Sequence, residues 1–394
     1  MKKVWIITAF VSFVLVSCFK GENTLNLLPK LPSTVYDYNN IERFGSKATI
    51  QGMIRDTTAQ MYSNHSATLG RVLFYDVNLS INNKVSCGTC HIQSLAFADG
   101  IAKNKGFKGV EIERNSMGLI NPILNNNMFW DSRTKSPLDL ALQPVFNHQE
   151  MGMENQTMLV NKLEKISYYP ELFKNAFGSE EITESKISIA MSHFINSVFS
   201  QNSKFDEGRK DEFKNFTGLE LFGKTLFESE RLMCSQCHSG ENFSAPDFPG
   251  GPYGSGGGMG RGGMDFAMPP TNDLMIIPFD DPNSPRGTAN IGLDLNYKDN
   301  GRQQGKFKIP SLRNIELTGP YMHDGRFKTL EEVVDHYSHG IKNHPHLDSK
   351  FKRQGKAIQL NISENEKQAL IAFMKTLTDN NLIRNPKFSD PFKY

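Results

Sequence analysis

Cys87-Gly88-Thr89-Cys90-His91 and Cys234-Ser235-Gln236-Cys237-His238 carry the most legible chemistry in this chain of 394 residues. Cys-x-x-Cys-His is the spacing at which two thiols add to the vinyl groups of a haem while the adjacent imidazole binds its iron. Both thioethers and the imidazole must meet one rigid macrocycle, so the three residues have to lie this close together. A redox dithiol or half of a zinc site uses the same cysteine pair, but neither requires the histidine that follows directly in both copies. Two copies predict two covalently bound haem c groups, with His91 and His238 as iron ligands.

The elements around the motifs repeat as well. Leu69-Gly70-Arg71-Val72-Leu73-Phe74 reads as a short amphipathic helix ahead of the first motif, and Phe222-Gly223-Lys224-Thr225-Leu226-Phe227 stands in the same place before the second. An internal repeat of this kind implies two related helical units, each burying the apolar faces of one haem. The expected fold class is therefore mostly α, with two cytochrome c-like haem domains packed together. Between His91 and Trp130 the chain reads as loop, punctuated by Gly100, Gly106, Gly109 and Gly118. No histidine occurs between His91 and His148, so this loop cannot cap the first haem with an imidazole. Met117 and Met128 in the loop, or His65 and His148 outside it, are the alternatives. An uncapped iron is what peroxide binding needs.

The chain opens on Lys2 and Lys3 and the apolar run Val4–Val16, the pattern of a signal peptide and too short for a convincing membrane span. It closes on Leu15-Val16-Ser17-Cys18, which resembles a bacterial lipoprotein cleavage box and would leave Cys18 as a lipidated first residue. Four of the five cysteines belong to the haem motifs and the fifth to this box, so no disulfide partner remains. The implied location is periplasm-facing and lipid-anchored to a bacterial membrane. Residues 19–47, polar and Pro-containing, read as a tether. Roughly 350 residues then remain, enough for two cores: an N-terminal haem domain over 48–205 and a C-terminal one over 206–394. The formal net charge of +2, spread over mixed signs, gives no basis for a nucleic-acid partner. Gly258-Met259-Gly260-Arg261-Gly262-Gly263 matches a nucleotide-binding pattern only formally. It lacks the flanking strand and helix, and reads as a flexible insertion.

Phe129-Trp130-Asp131-Ser132-Arg133, Pro144, Glu150-Met151-Gly152 and Arg114-Asn115-Ser116 together resemble the bacterial dihaem cytochrome c peroxidase family, which includes MauG-type enzymes. The resemblance runs from about Leu69 to Asp379 and is carried further by Lys308-Ile309-Pro310-Ser311-Leu312-Arg313-Asn314 and Thr318-Gly319-Pro320-Tyr321-Met322-His323-Asp324-Gly325. It implies that Trp130 lies between the haems and that Glu150 is the distal catalytic carboxylate. A carboxylate over an open haem face can take a proton from one peroxide oxygen and return it to the other. It also implies an interdomain calcium ion bound by the Asn115 side chain and the backbone carbonyls of Thr318 and Pro320, and it places His323 near the second haem without ligating it. Oxygen donors suit such a hard cation.

Two positions depart from the commoner family pattern. Leu140 stands where members often carry a glutamine near the distal pocket, which removes one hydrogen bond to peroxide. Fourteen residues after His323, where typical peroxidases have a methionine ligand, this chain has Tyr337, as MauG-type members do. A phenolate ligand favours oxidised iron and lowers the potential relative to methionine. Leu330–Tyr337 reads as one helix able to aim that side chain at the haem; His336, His339, His344, His346 and Met322 compete for the role. Ser363-Glu364-Asn365-Glu366 is a capping box that opens a last helix over Lys367–Leu377. The tail from Asn380 reads as lying across the surface.

The expected function is an oxidoreductase: a dihaem peroxidase that reduces hydrogen peroxide with electrons from a small cytochrome c or copper protein. MauG-like oxidation of a partner protein and a non-catalytic dihaem electron carrier are the alternatives. A homodimer is left open.

Overall fold

The computed structural model describes residues 27–43, 46–54, 61–125, 127–244, 288–294 and 305–393. The leader, Cys18 and the Gly-rich stretch from Gly250 to Gly263 lie outside them. Among the described residues the regular structure is mostly helical, with sheet limited to three two-stranded hairpin pairings. No described helix is long and apolar enough to cross a membrane.

Two helix pairs organise the molecule. The first joins α1 (Asn64–Tyr75) to α2 (Glu184–Ser197), and the second joins α3 (Gly218–Glu228) to α4 (Glu364–Lys375). Each start is fixed by a side-chain cap that satisfies an otherwise orphaned backbone N–H. Ser63 accepts from Ser66 N, Thr183 from Lys186 N, Thr217 from Glu220 N and Ser363 from Glu366 N. The Thr217 and Ser363 caps are full capping boxes.

The pairs cross at glycines. A Cβ at Gly70 would overlap the carbonyl of Ala190, and one at Gly223 would overlap the carbonyl of Ala369. Phe194 and Phe373 sit at matching places beside these crossings. Glycine is required because the backbones touch. The repeat read at Leu69–Phe74 and Phe222–Phe227 is therefore a repeat of helix crossings.

Three expectations are corrected. α1 is not amphipathic: it is buried from Ser66 to Tyr75, because α2, the helix Tyr169–Phe177, the first Cys-x-x-Cys-His segment and the C-terminal tail cover it together. The tail is core rather than surface. Leu382 and Phe388 are buried against the first half, and Tyr75 Oη donates to Phe388 O at 2.7 Å. The segment read as a tether is docked from Tyr36 onward, since the buried Tyr38 ring fills the space between Phe194 and Phe388 and its hydroxyl donates to Lys387 O. A hairpin pairing Asn40–Arg43 with Ser46–Thr49 follows it.

The two halves are joined around Ser200. Asn121 Nδ2 donates to Ser200 O and Asn314 Nδ2 to Ser200 Oγ, while Asp379 Oδ2 accepts from Gln201 N and Asn202 N. Arg313, from the Lys308–Asn314 stretch, is buried and pairs through both terminal nitrogens with Asp206; its Nε donates to Glu241 O. That fork ties the chain just after the second haem motif to the start of the second half.

Candidate functional site

Cys87–Cys90 forms one helical turn, with Tyr75 of α1 packed so closely on Gly88 that only glycine fits. His91 follows, and its Nδ1 lies 2.8 Å from Phe97 O. The second motif matches: His238 Nδ1 lies 3.1 Å from Phe243 O. A carbonyl there fixes Nδ1 as the protonated nitrogen and leaves the Nε2 lone pair for a metal. Burial holds both imidazoles below the usual histidine range, His238 at about 4, so both stay neutral. The thiols of Cys87, Cys90 and Cys234 are pushed up to about 12, chiefly by burial, and all four motif cysteines are free of disulfides. Thiols held protonated do not behave as a redox dithiol, whose reactivity depends on the thiolate.

Beside the second motif lies a largely apolar cavity bounded by Phe227, Cys234, Cys237, His238, Leu312, Tyr337 and Leu370. It extends to Asn115, Trp130, Thr318, Pro320, Met322 and His323. An apolar cavity with two thiols and an oriented imidazole on its wall fits a c-type haem.

Tyr337 reaches this cavity because the helix Leu330–Asp335 does not continue as α but widens into a π turn over His336–Gly340. This departs from the single regular helix expected, and π turns recur at functional sites. Burial first, then the nearby cysteines, raises the Tyr337 phenol, so ionising it requires a cation such as bound iron. The competing histidines are engaged elsewhere. His336 Nε2 lies 2.9 Å from Ile291 O, His344 Nδ1 accepts from His346 N, and His339 and His346 are exposed. Met322 shares the cavity wall with Tyr337.

Glu150 lies in a turn beyond the first motif. Asn147 Nδ2 donates to Glu150 Oε1 at 2.7 Å, and Phe107 N donates to Glu150 O at 2.8 Å. Gly106 allows the approach, since a Cβ there would strike Gln149 O. Burial raises the carboxyl above its ordinary range; the Asn147 hydrogen bond and the Arg133 charge pull the other way. Its charge is felt by both Cys87 and Cys90, which puts it on the first motif's side of the molecule. A shallow groove lined by Arg133, Gln143 and Asn147 opens next to it. His65 and His148 are exposed, Leu140 packs into the core, and Met117 lies on the wall of the second cavity.

A second internal repeat, missed in the sequence, has a constant offset of 193 residues, from 114–144 onto 307–337. Trp130 matches His323. Met128 bridges Thr134 as Tyr321 bridges Phe327, and Phe129 and Met322 share a positive φ. Asn115 matches Lys308, and the two halves exchange bonds across the seam: Asn115 N donates to His323 O and Lys308 N to Trp130 O, both at 2.8 Å. Trp130 Nε1 donates to Asn115 O at 2.9 Å, which locks the indole at this seam. Counting eight residues from the caps Ser136 and Thr329, Tyr337 in the second half corresponds to Pro144 in the first. The signal was the pair Trp-Asp-Ser-Arg and His-Asp-Gly-Arg, too short and too divergent to be seen without the shared backbone.

Comparison with known proteins agrees with this chemistry. The model of the di-haem cytochrome c peroxidase family matches residues 64–214. The methylamine utilization protein MauG of Methylorubrum extorquens is 31% identical over 310 residues, covering 78% of this chain and 77% of that protein. The chain belongs to the di-haem cytochrome c peroxidase family. Cytochrome c551 peroxidase of Nitrosomonas europaea is 30% identical, covering 79% of each chain. The crystal structure of a MauG-like protein associated with microbial copper homeostasis superposes with a TM-score of 0.67 at 30% identity, covering 84% of this chain and 94% of that one. The diheme peroxidase BthA of Burkholderia thailandensis shares the fold, with a TM-score of 0.59 at 18% identity. Family membership makes this chain an oxidoreductase and implies two covalently bound haem c groups.

Proposed function

We propose that this protein reduces hydrogen peroxide with electrons from a small cytochrome c or copper protein, one haem serving peroxide and the other the donor. Residues 48–205 would hold the first haem through Cys87, Cys90 and His91, and residues 206–394 the second through Cys234, Cys237 and His238. The carrying observation is the register of the second repeat. The second half presents Tyr337 eight residues after its helix cap, whereas the first half presents Pro144, which has no ligating side-chain atom. That register supports an open first haem and a phenolate ligand on the second.

Haem, once bound, supplies iron for peroxide binding and electron storage. The chain supplies the rest. Glu150, ionised, accepts a proton from one peroxide oxygen and returns it to the other, and Asn147 holds the carboxylate in place during both transfers. Trp130, locked by Asn115 and bonded through its carbonyl to Lys308, offers an aromatic step for an electron between the two sites. His323 stacks on Phe307 with centroids 3.7 Å apart and stiffens the same seam. Asn115, Thr318 and Pro320 all face the cavity wall, and Asn115 Nδ2 donates to the carbonyls of Ile101 and Ala102, which leaves its side-chain oxygen for a calcium ion. A lipidated Cys18 would hold the enzyme on a membrane facing the periplasm.

The test is peroxide-dependent oxidation of a soluble cytochrome c. Glu150→Gln is expected to lower kcat by about 10²–10⁴-fold, the usual worth of a positioned acid–base group. Wild-type turnover in that variant, with both haems attached, would remove Glu150 from the mechanism. Tyr337 favours MauG-like oxidation of a partner protein as the second reading. Negligible turnover with every soluble donor, alongside rapid reaction with peroxide, would make it the better one. The exposed positions of His65 and His148 take support from the electron-carrier reading.

A further inference from the structure

Lys308 is a buried cation that the proposed chemistry does not use. It is 8% exposed and lines the second cavity beside His238, Leu312 and Trp130. No carboxylate among the described residues pairs with it, and burial lowers its ammonium below the ordinary lysine range, to about 8. Arg114, in the matching segment of the other half, sets its guanidinium 5.1 Å above the Phe307 ring, and its buried Nη1 has no hydrogen-bond partner among the described residues. Phe307 thus has a cation on its ring and another next to it in the chain, and of the two Lys308 lines the apolar cavity. An unpaired buried charge is costly, so Lys308 calls for an anion, and the half-buried Arg114 with its unpartnered Nη1 favours one nearby. Haem is an apolar macrocycle carrying two carboxylates.

We propose that Lys308, assisted by Arg114, is the counter-charge against which a carboxylate of the second haem is seated, and that it holds that haem's reduction potential up. The proposal rests on the second haem filling this cavity. A fixed positive charge near the iron stabilises the form with one more electron, opposing the Tyr337 phenolate, which stabilises the oxidised form. Because Lys308 N is bonded to Trp130 O, the charge stands at the entry point of the electron path. The second repeat puts neutral Asn115 at the position equivalent to Lys308, so the repeat supplies the charge once.

The experiment is a spectroelectrochemical titration of the holoenzyme, with covalent haem counted in each variant. Lys308→Met is expected to lower the midpoint potential of the second haem and leave the first in place, while Lys308→Arg restores it. Arg114→Gln is expected to shift it in the same direction by less, and serves if Lys308→Met fails to mature. An unchanged second potential in Lys308→Met or Arg114→Gln, with two haems attached, would overturn the proposal. A wild-type chain carrying one haem, or a Cys234→Ala/Cys237→Ala chain carrying two, would instead overturn the underlying haem assignment.

Discussion

The acid–base role proposed for Glu150 depends on surroundings that pull in two directions. Burial lifts the carboxyl toward the pH at which a proton can be both taken and returned, and Asn147 keeps it from rising further. The base form is needed first, so activity is present above the Glu150 pKa and falls as pH drops through it. The acid limb should therefore lie above the ordinary range for glutamate. Asn147→Leu removes the hydrogen bond that stabilises the carboxylate and should move that limb to higher pH. A pH profile of kcat/KM decides the matter: an unmoved limb in Asn147→Leu would show that Asn147 does not set the Glu150 pKa. Asn147 was not legible as a functional residue, because nothing in the sequence distinguishes it from other loop asparagines.

At the scale of elements, each half is set by one helix crossing with a glycine at its centre. Gly70→Ala and Gly223→Ala would each drive a methyl group into a backbone carbonyl of the partner helix. The cost should be about 1–3 kcal/mol or more, since backbone rather than a flexible side chain must give way. Denaturant unfolding of the two variants measures it, and stability at the wild-type level would mean that the crossings can open freely. The π turn at His336–Gly340 belongs to the same scale. The spacing of Leu330, Val333 and Val334 announces a helix, but the widening that carries Tyr337 into the cavity is a tertiary choice. His336 bonds Ile291 O from a segment 45 residues earlier in the chain.

Across the whole molecule the two halves are not equivalent in what covers them. The C-terminal tail returns to the first half, where Phe388 packs against Phe97, Phe194 and Tyr38. α1 is consequently buried from Ser66 to Tyr75, while α3 leaves Leu219, Leu221 and Phe222 exposed. Phe388→Ala should cost about 3–5 kcal/mol, the usual penalty for emptying a buried phenylalanine site. Thermal unfolding should show the loss, and removal of residues 380–394 should show a larger one. An unchanged midpoint in both would mean that the tail is dispensable. The seam between the halves is closed by the paired bonds of Asn115 with His323 and of Lys308 with Trp130.

The sequence by itself determined the residues whose chemistry is covalent or local. The two attachment motifs and the helix cap at Ser363 and Glu366 act within a few residues, so spacing alone reveals them. Trp130, Glu150 and Tyr337 were singled out through resemblance, because the roles proposed for them depend on partners far along the chain. Only the tertiary structure decided that the tail and the stretch from Tyr36 pack onto the core, that Asn147 holds Glu150, and that Lys308 lines a cavity whose Phe307 wall carries Arg114. Each of these depends on surfaces brought together from distant segments, where burial and not residue type sets the charge, the pKa and the role.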